Sequence, residues 1–193
     1  MSTYTLVKPA ECCLHIIDPQ KSLMSQITEA QRVSRVIGLL IQCAEILKIR
    51  TLANTQYIKG LGPYVDDLEK LVTNIPRRDK VEFSAYSNKE TMQLFDSLSE
   101  GISTVIMVGV ETHICIYQSA MGVLERGLTP WIVADGVSSR HLADHELGLA
   151  RLRQAGAVVG PAEMIIYELL GKAGTAEFKE MLPYIIAFNK TVQ

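Results

Sequence analysis

Short apolar runs alternate with longer amphipathic stretches along the whole chain. The run CCLHIID (12–18) has the length of a strand and ends in a carboxylate. STVIMVGV (103–110) is apolar throughout, as in strands that a parallel sheet buries on both faces. The segment 31–50 repeats its apolar residues at helical spacing, which predicts an amphipathic helix. The other predicted strands are 51–55, 129–135 and 157–159, with an extended segment at 79–86, and the other predicted helices are 67–71, 89–98, 113–127, 141–156 and 162–170.

This alternation predicts an α/β fold. No linker, repeat or low-complexity segment interrupts it, so we predict one domain over residues 1–193: a three-layer, doubly wound domain with a central parallel β-sheet flanked by helices. A loop is predicted at 56–64, and Pro183 is expected to break the helical tail 174–190. Ligands bind such sheets beyond the C-terminal ends of the strands. The candidate residues at those predicted ends are Asp18, Asn54, Gln56, Glu111, Cys115, Asp135 and Ser138.

Composition and charge argue against several classes of partner. The 193 residues are 48% hydrophobic and 21% charged, and a net charge of −2 offers no electrostatic case for nucleic acid. No apolar run approaches the ~18 residues of a membrane span, and the N-terminus lacks the pattern of a secretory signal. Four cysteines without CxxC or zinc-ligand spacing indicate free thiols. We therefore expect a cytoplasmic protein that binds neither nucleic acid nor a membrane.

Cys115 stands where a predicted buried strand gives way to a helix. A helix N-terminus lowers the pKa of a thiol and offers free N–H groups to a developing oxyanion, so this position suits a nucleophile. The alternative is that Cys115 is a small buried apolar residue, the commonest role of a free cysteine. The other three cysteines, Cys12, Cys13 and Cys43, fall inside a strand and a helix and are predicted to pack.

A nucleophilic thiol needs a base, and Asp18 is the best candidate. It ends a predicted strand at the same edge of the sheet as Cys115, whereas His113 is only two residues from the cysteine and faces another side of the helix. Lys80 would steady the carboxylate and the thiolate if it lies near both. The alternatives are a turn carboxylate before Pro19 and a solvated lysine at a loop edge. The remaining histidines, His15, His141 and His145, are predicted to be core or surface residues.

Several motifs in order along the chain resemble the isochorismatase-like cysteine hydrolases, a family that includes nicotinamidases and N-carbamoylsarcosine amidases. They are IIDPQ (16–20), KVEFSAY (80–86), VGVETHICI (108–116), VADGVSSR (133–140) and RLRQAGAVV (151–159). The resemblance covers nearly the whole chain and is specific because the matches fall in order at predicted strand ends.

The resemblance implies a catalytic triad of Asp18, Lys80 and Cys115. Cys115 would attack a carbonyl carbon to form an acyl-enzyme, Asp18 would take the thiol proton and later activate water, and Lys80 would steady the charges. The backbone N–H groups of Glu111 and Cys115 would form the oxyanion hole, with a cis peptide bond between Val110 and Glu111. The family also commonly forms oligomers, and the apolar tail 181–188 favours a homo-oligomer.

Two departures from the family pattern narrow the activity. Nicotinamidases carry an Asp-x-His metal motif after the second strand, where this chain reads NTQYIKGLGP (54–63), so we predict no cofactor and no catalytic metal and argue against nicotinamidase activity. True isochorismatases have a residue other than cysteine at the position of Cys115, which argues against cleavage of a vinyl ether. The chain looks like a small, uncharacterised branch of the family.

The predicted substrate is a small molecule with an amide, carbamoyl or ester bond, and the residues do not discriminate among these. The predicted substrate-binding residues are Asn54, Gln56, Phe83 and Tyr86. The rings of Phe83 and Tyr86 could stack on a planar or apolar group. Packing at the edge of the sheet is the alternative for these aromatic residues.

Three other functions compete with a hydrolase. A catalytically silent scaffold or binding protein would keep the fold but leave Cys115 with ordinary reactivity. A nucleotide-binding protein is disfavoured because neither GxGxxG nor GxxxxGK[ST] follows a predicted strand. A peroxide sensor would need Cys12 or Cys13 to approach Cys115 as a resolving thiol.

Overall fold

The computed structural model, which describes residues 6–190, contains one sheet of six strands. The strands are β1 (Cys12–Ile17), β2 (Arg50–Gln56), β3 (Arg77–Lys80), β4 (Thr104–Val110), β5 (Thr129–Ser138) and β6 (Val158–Gly160). They lie in the order β3–β2–β1–β4–β5–β6, and every neighbouring pair is parallel. Chain order reverses beside β1, which brings the C-terminal ends of β1, β2 and β4 together, where such sheets bind ligands. The predicted doubly wound α/β fold is confirmed.

Helices cover both faces of the sheet. They are α1 (Lys21–Met24), α2 (Ala30–Ile46), α3 (Ile58–Leu61), α4 (Asp66–Leu71), α5 (Lys89–Leu98), α6 (Tyr117–Glu125), α7 (Leu142–Ala155), α8 (Ala162–Leu170) and α9 (Ala176–Lys190). Alternate residues of β1 point to opposite faces: Leu14 packs in a cluster with residues of α2, α8 and α9, and Cys13 packs in a second cluster with residues of α5, α6 and α7. The described helices include none long and apolar enough to cross a bilayer.

Two strand boundaries differ from the sequence predictions. The extended segment predicted at 79–86 is confirmed only in its first two residues, which belong to β3. The rest of this prediction is wrong, because pairing with β2 stops where Gln56 meets Lys80 and leaves the following residues without a neighbouring strand. Conversely, β5 continues past its predicted end at 135 to Ser138. A shift in register after Met107 of β4 lets the last residues of β5 pair with the end of β4.

The predicted break at Pro183 is also wrong, since α9 passes through this proline without interruption. Proline removes one backbone hydrogen bond from a helix interior. Met181 and Ile185, on either side of Pro183, are buried in the cluster that contains α2. The burial of this apolar face favours the helix despite the lost bond.

Gly109 allows β4 to lie close to β1 just before the loop that carries Cys115. Its φ is +123°, a backbone conformation that residues with a side chain rarely adopt. A Cβ at this position would fall within 2.7 Å of the carbonyl carbon of Ile17 and closer still to its oxygen. Any residue larger than glycine would therefore push apart the ends of the two central strands.

We expect Gly109→Ala to destabilise the protein by more than about 3 kcal/mol, because it combines a backbone clash with a strained φ. The measurement is urea unfolding followed by circular dichroism. Gly101→Ala is the matched control, since Gly101 also has a positive φ (+74°) but a Cβ there would meet nothing within 4 Å. Equal unfolding midpoints for the two variants would contradict this account of the β1–β4 contact.

Candidate active site

Asp18 lies immediately after β1 in an unusual backbone conformation. Its φ is +56°, in the left-handed region that aspartate tolerates better than most residues. Its N–H donates to the carbonyl of Asn54 (3.1 Å), and its own carbonyl accepts the N–H of Gln20 (2.7 Å). These bonds fix the turn that directs the Asp18 side chain into the protein, where it is fully buried.

Asp18 forms an ion pair with Lys80, the last residue of β3. The distance from Lys80 Nζ to Asp18 Oδ2 is 2.6 Å, and neither side chain has any solvent exposure. Lys80 Nζ makes a second hydrogen bond, also of 2.6 Å, to Oε1 of Gln56. Because β2 separates β1 from β3 in the sheet, the long lysine side chain is what closes the distance to Asp18.

Cys115 completes the group. It lies in a turn of π-helix, Thr112–Ile116, that joins β4 to α6, and it is almost wholly buried. The structure thus brings together the three residues that the sequence predicts as a triad. Oδ1 of Asp18 is buried and makes no hydrogen bond of ordinary geometry within residues 6–190, although the Cys115 thiol is close enough to influence the pKa of the carboxyl. The carboxyl therefore has one oxygen held by Lys80 and one oxygen free to accept a proton from the thiol.

Burial controls the ionisation of both groups. It raises the pKa of Asp18 to about 6, although the charge of Lys80 lowers it. Burial, assisted by the charge of Asp18, raises the pKa of Cys115 to about 12, while Lys80 and the backbone N–H of Glu111 lower it. The lowered thiol pKa predicted from a helix N-terminus is therefore wrong, because the cost of removing a thiolate from water exceeds the stabilisation by nearby N–H groups. At neutral pH the thiol keeps its proton and Asp18 is mostly ionised.

Glu111, which follows β4, lies beside the thiol. The peptide bond between Val110 and Glu111 is cis, as the resemblance implies. The backbone N–H of Glu111 lies close enough to Cys115 to lower the pKa of the thiol. The carboxylate of Glu111 accepts hydrogen bonds from the N–H (2.9 Å) and Nε (3.2 Å) of Arg140. The role of Glu111 and Cys115 N–H groups as oxyanion donors stays a prediction.

Two predicted substrate-binding residues, Asn54 and Tyr86, point into the interior instead. The amide of Asn54 is fully buried and bonds to Nε2 of His15 (2.7 Å), the carbonyl of Arg78 and the hydroxyl of Thr91. The hydroxyl of Tyr86 contacts Nδ1 of the same histidine (3.3 Å). Burial lowers the pKa of His15 to about 4, so this ring is neutral and stabilises the packing. Both side chains are thus engaged with His15, and their role in substrate binding stays a prediction.

The other two, Phe83 and Gln56, lie at the C-terminal edge of the sheet. Phe83 is 55% exposed in the loop after β3 and is free to contact a ligand. Gln56 has both ends of its side chain engaged, since Oε1 accepts from Lys80 and Nε2 donates to the carbonyl of Val81 (2.9 Å). Gln56 therefore supports the lysine in this structure.

Gln20 is a buried residue that the sequence analysis missed. Its Oε1 accepts the backbone N–H of Gln56 (2.7 Å), and its Nε2 donates to the carbonyls of Gln56 (3.0 Å) and Gly62 (2.7 Å). These bonds tie the turn after Asp18 to the end of β2. The available signal was the position of Gln20 only two residues after Asp18, within IIDPQ.

Within residues 6–190, no group of three or more His, Cys, Asp or Glu side chains is arranged to hold a metal ion. The absence of a cofactor stays a prediction from the sequence.

Comparison with known proteins identifies the family. The model of the isochorismatase domain matches residues 12–164. The chain belongs to the isochorismatase family. Within this family it is 33% identical to bovine isochorismatase domain-containing protein 2 over 175 residues, which are 91% of this chain and 83% of that protein. It is 29% identical to isochorismatase family protein 1B of Dictyostelium discoideum, over 92% of this chain and 87% of that protein.

Solved structures share the fold over nearly the whole chain. MAR1 ribonuclease from Caenorhabditis elegans is 33% identical with a TM-score of 0.87, over 94% of this chain and 93% of that one. The YcaC gene product of Escherichia coli, described as an octameric hydrolase of unknown specificity, is 19% identical with a TM-score of 0.88, over 100% of this chain and 97% of that one. Membership of the isochorismatase family supports a hydrolase.

We expect Gln56→Glu to raise the pKa of Asp18 above about 6, because a second carboxylate at Lys80 Nζ competes for the ammonium group and adds negative charge. The measurement is a ¹³C NMR titration of the Asp18 carboxyl, assigned by its loss in Asp18→Asn. Gln118→Glu, which adds the same charge at an exposed position of α6, is the control. An equal shift in both variants, or none in either, would contradict the assigned contact.

Proposed function

We propose that the protein is a cysteine hydrolase that cleaves a small amide, carbamoyl or ester bond through a covalent acyl-enzyme on Cys115. The observation that carries the proposal is the asymmetry of Asp18, whose Oδ2 is held by Lys80 while Oδ1 is unpaired and buried near the thiol. A buried carboxylate oxygen without a hydrogen bond is costly and calls for an explanation. Acceptance of the thiol proton supplies one.

The first half of the reaction forms the acyl-enzyme. Asp18 Oδ1 takes the proton of Cys115 as the sulfur attacks the carbonyl carbon, and the electron pair of the carbonyl double bond moves to its oxygen. The N–H groups of Glu111 and Cys115 stabilise this oxyanion. When the oxyanion collapses, the bond to the leaving amine or alcohol breaks, and the leaving group takes the proton from Asp18.

The second half returns the free enzyme. Asp18, ionised again, accepts a proton from a water molecule as the water oxygen attacks the thioester carbon. Collapse of this second oxyanion breaks the carbon–sulfur bond, the thiolate regains the proton from Asp18, and the carboxylic acid leaves. Lys80 donates a hydrogen bond to Oδ2 of Asp18 and stabilises the ionised form of this carboxyl between steps.

The raised pKa of Cys115 fits this sequence. A thiol with a pKa of about 12 stays protonated in the resting protein, so proton transfer to Asp18 accompanies the attack. Asp18, with a pKa of about 6, is ionised at neutral pH and is a better base than an ordinary exposed aspartate. The two groups are therefore matched for transfer only when an electrophile is present.

A catalytically silent scaffold or binding protein remains the second candidate. One observation favours it: Asp18, Lys80 and Cys115 are almost wholly buried, and the thiol is not activated at rest. A substrate must enter between side chains that now cover the sulfur. Measured turnover separates this candidate from the hydrolase.

We also propose a homo-oligomer. The octameric state described for the YcaC gene product of Escherichia coli supports it, as do Tyr184 and Ile186, which are 43% and 46% exposed on α9. A cytoplasmic location stays a prediction from the free cysteines.

We expect the rate of Cys115 alkylation by iodoacetamide to rise with pH through a midpoint near 6, because ionised Asp18 must accept the thiol proton. Asp18→Asn should slow alkylation at pH 7 by at least about tenfold, a conservative value for the loss of a general base. Lys80→Ala should move the midpoint upward, because the charge of Lys80 lowers the pKa of Asp18. Peptide mass spectrometry gives the rates.

Cys43 provides the control within each sample, because burial also raises its pKa to about 12 but no carboxylate pairs with it. If Cys115 is alkylated no faster than Cys43 and ignores both substitutions, the assigned nucleophile is wrong. Hydrolysis of p-nitrophenyl acetate, with Cys115→Ser as the inactive reference, then tests for turnover. A wild-type protein that shows Asp18-dependent alkylation but no hydrolysis of this ester or of an amide panel would support the scaffold.

A further inference from the structure

The three residues that follow β4 each bond to the segment that follows β5. We call residues 139–145 the clamp segment. The side-chain pairs are Glu111–Arg140, Thr112–His145 and His113–Ser139. Three consecutive residues tied to one neighbouring segment fix the start of the turn that carries Cys115.

The contact between Glu111 and Arg140 is the ion pair among these three. The Glu111 side chain is only 8% exposed and accepts both the backbone N–H of Arg140 and its Nε. The guanidinium itself is half exposed. A nearly buried carboxylate thus depends on one neighbouring residue for its hydrogen bonds, which makes its position sensitive to that residue.

The other two pairs are short, and each is at least partly buried. Thr112 Oγ1 lies 2.9 Å from Nδ1 of His145, and both residues are buried. His113 Nδ1 lies 2.9 Å from Oγ of the fully buried Ser139. Helix α7 also packs closely against the backbone of His113. A Cβ at Gly148 of this helix would come within 3.2 Å of the His113 backbone nitrogen.

The clamp segment is itself anchored on its far side. Thr28, between α1 and α2, donates its N–H to the carbonyl of Ser139 (3.0 Å) and its hydroxyl to the carbonyl of Arg140 (2.9 Å). The hydroxyl of Ser138 donates in return to the carbonyl of Thr28 (2.7 Å). The segment is therefore a fixed support for residues 111–113.

Residues 111–113 in turn determine where the thiol lies. The carbonyl of Glu111 accepts the N–H groups of Ile114 and Ile116, each at 3.1 Å, on either side of Cys115. The N–H of the same glutamate lies close enough to the sulfur to lower the pKa of the thiol. A displacement of Glu111 would therefore move both the thiol and the hydrogen bond that stabilises its negative charge.

We propose that Ser139, Arg140 and His145 are positioning residues, which hold residues 111–113 so that the Glu111 N–H stays aimed at the sulfur and at the acyl oxygen. The part of this inference that concerns the acyl oxygen rests on the proposed function, whereas the part that concerns the sulfur does not. An oxyanion donor stabilises the transition state only if it is held in place beforehand. Small displacements of the donor weaken this stabilisation, because hydrogen bonds weaken steeply with angle and distance.

The experiment compares two reactions of Cys115 in Glu111→Gln, Ser139→Ala and Arg140→Ala. Acylation by p-nitrophenyl acetate builds an oxyanion, whereas alkylation by iodoacetamide does not. We expect acylation to slow by about tenfold or more in Arg140→Ala and Glu111→Gln, toward the effect of losing one oxyanion donor. Alkylation, measured at about pH 8 in the Asp18→Asn background, follows the thiolate fraction that the thiol pKa sets. It should slow by about tenfold, the effect of raising that pKa by about one unit when the hydrogen bond to the charged sulfur is weakened.

Glu69→Gln is the matched control. Glu69 also accepts both an arginine side chain, from Arg77, and a backbone N–H, from Tyr64, but it lies on α4 and away from the clamp segment. Arg140→Lys, which keeps the charge and a donor, should recover part of the acylation rate. Urea unfolding of every variant corrects the rates for the folded fraction.

The outcomes separate this inference from the proposed function. If the variants lower stability but leave the acylation rate and the alkylation rate at the values of their parent proteins per folded molecule, the clamp segment only packs and the inference is wrong. If wild type shows no Cys115-dependent acylation, the proposed function fails, and the alkylation rate alone decides the inference. Should Arg140→Ala not fold, Ser139→Ala and Glu111→Gln decide it by the same two rates.

Discussion

The buried ion pair between Asp18 and Lys80 is the constraint on which the site depends. Removing two charges from water is expensive, and the loss of one partner of such a pair typically costs about 3–5 kcal/mol. The protein meets this cost with a direct contact of 2.6 Å, an additional acceptor from Gln56, and a fixed backbone around Asp18. Each of these features comes from the ends of β1, β2 and β3, so the strand order decides whether the pair can form.

The same pair leaves the Asp18 carboxyl unequal at its two oxygens. Lys80 binds one of them, and the other has the thiol of Cys115 as its neighbour. Burial raises the pKa of both acids, which means that it disfavours the charged form of each group. At neutral pH the thiol is therefore protonated beside an ionised carboxylate. This would protect Cys115 from unspecific reaction with oxidants and electrophiles, since the thiolate is the reactive species.

Sequence patterns predicted the fold, and the resemblance to a known family implied the grouping of Asp18, Lys80 and Cys115. Apolar runs marked the strands, and the polar residues at their ends meet at one edge of a parallel sheet. The pKa of Cys115 was not predictable in this way, since burial by the neighbouring elements outweighs the position of the cysteine along the chain. Asn54 lies inside β2, as predicted, but its side chain bonds to His15 in the interior, a contact between neighbouring strands that the pattern along one strand does not reveal. The bonds of the clamp segment join parts of the chain about thirty residues apart, and no local pattern encodes such contacts.

The position of Lys80 at the end of β3 has a further consequence. This strand has four residues, lies at the edge of the sheet and pairs with β2 alone, so its last residue is held by fewer backbone bonds than any central strand would give it. Short edge strands open locally at a lower free energy than the core of a sheet. Fraying of this one terminus would carry the ammonium group away from Asp18 while the other strands remained intact. The chemical competence of the site is thus tied to one of the least protected parts of the sheet, and it would be lost before the global structure during gradual denaturation.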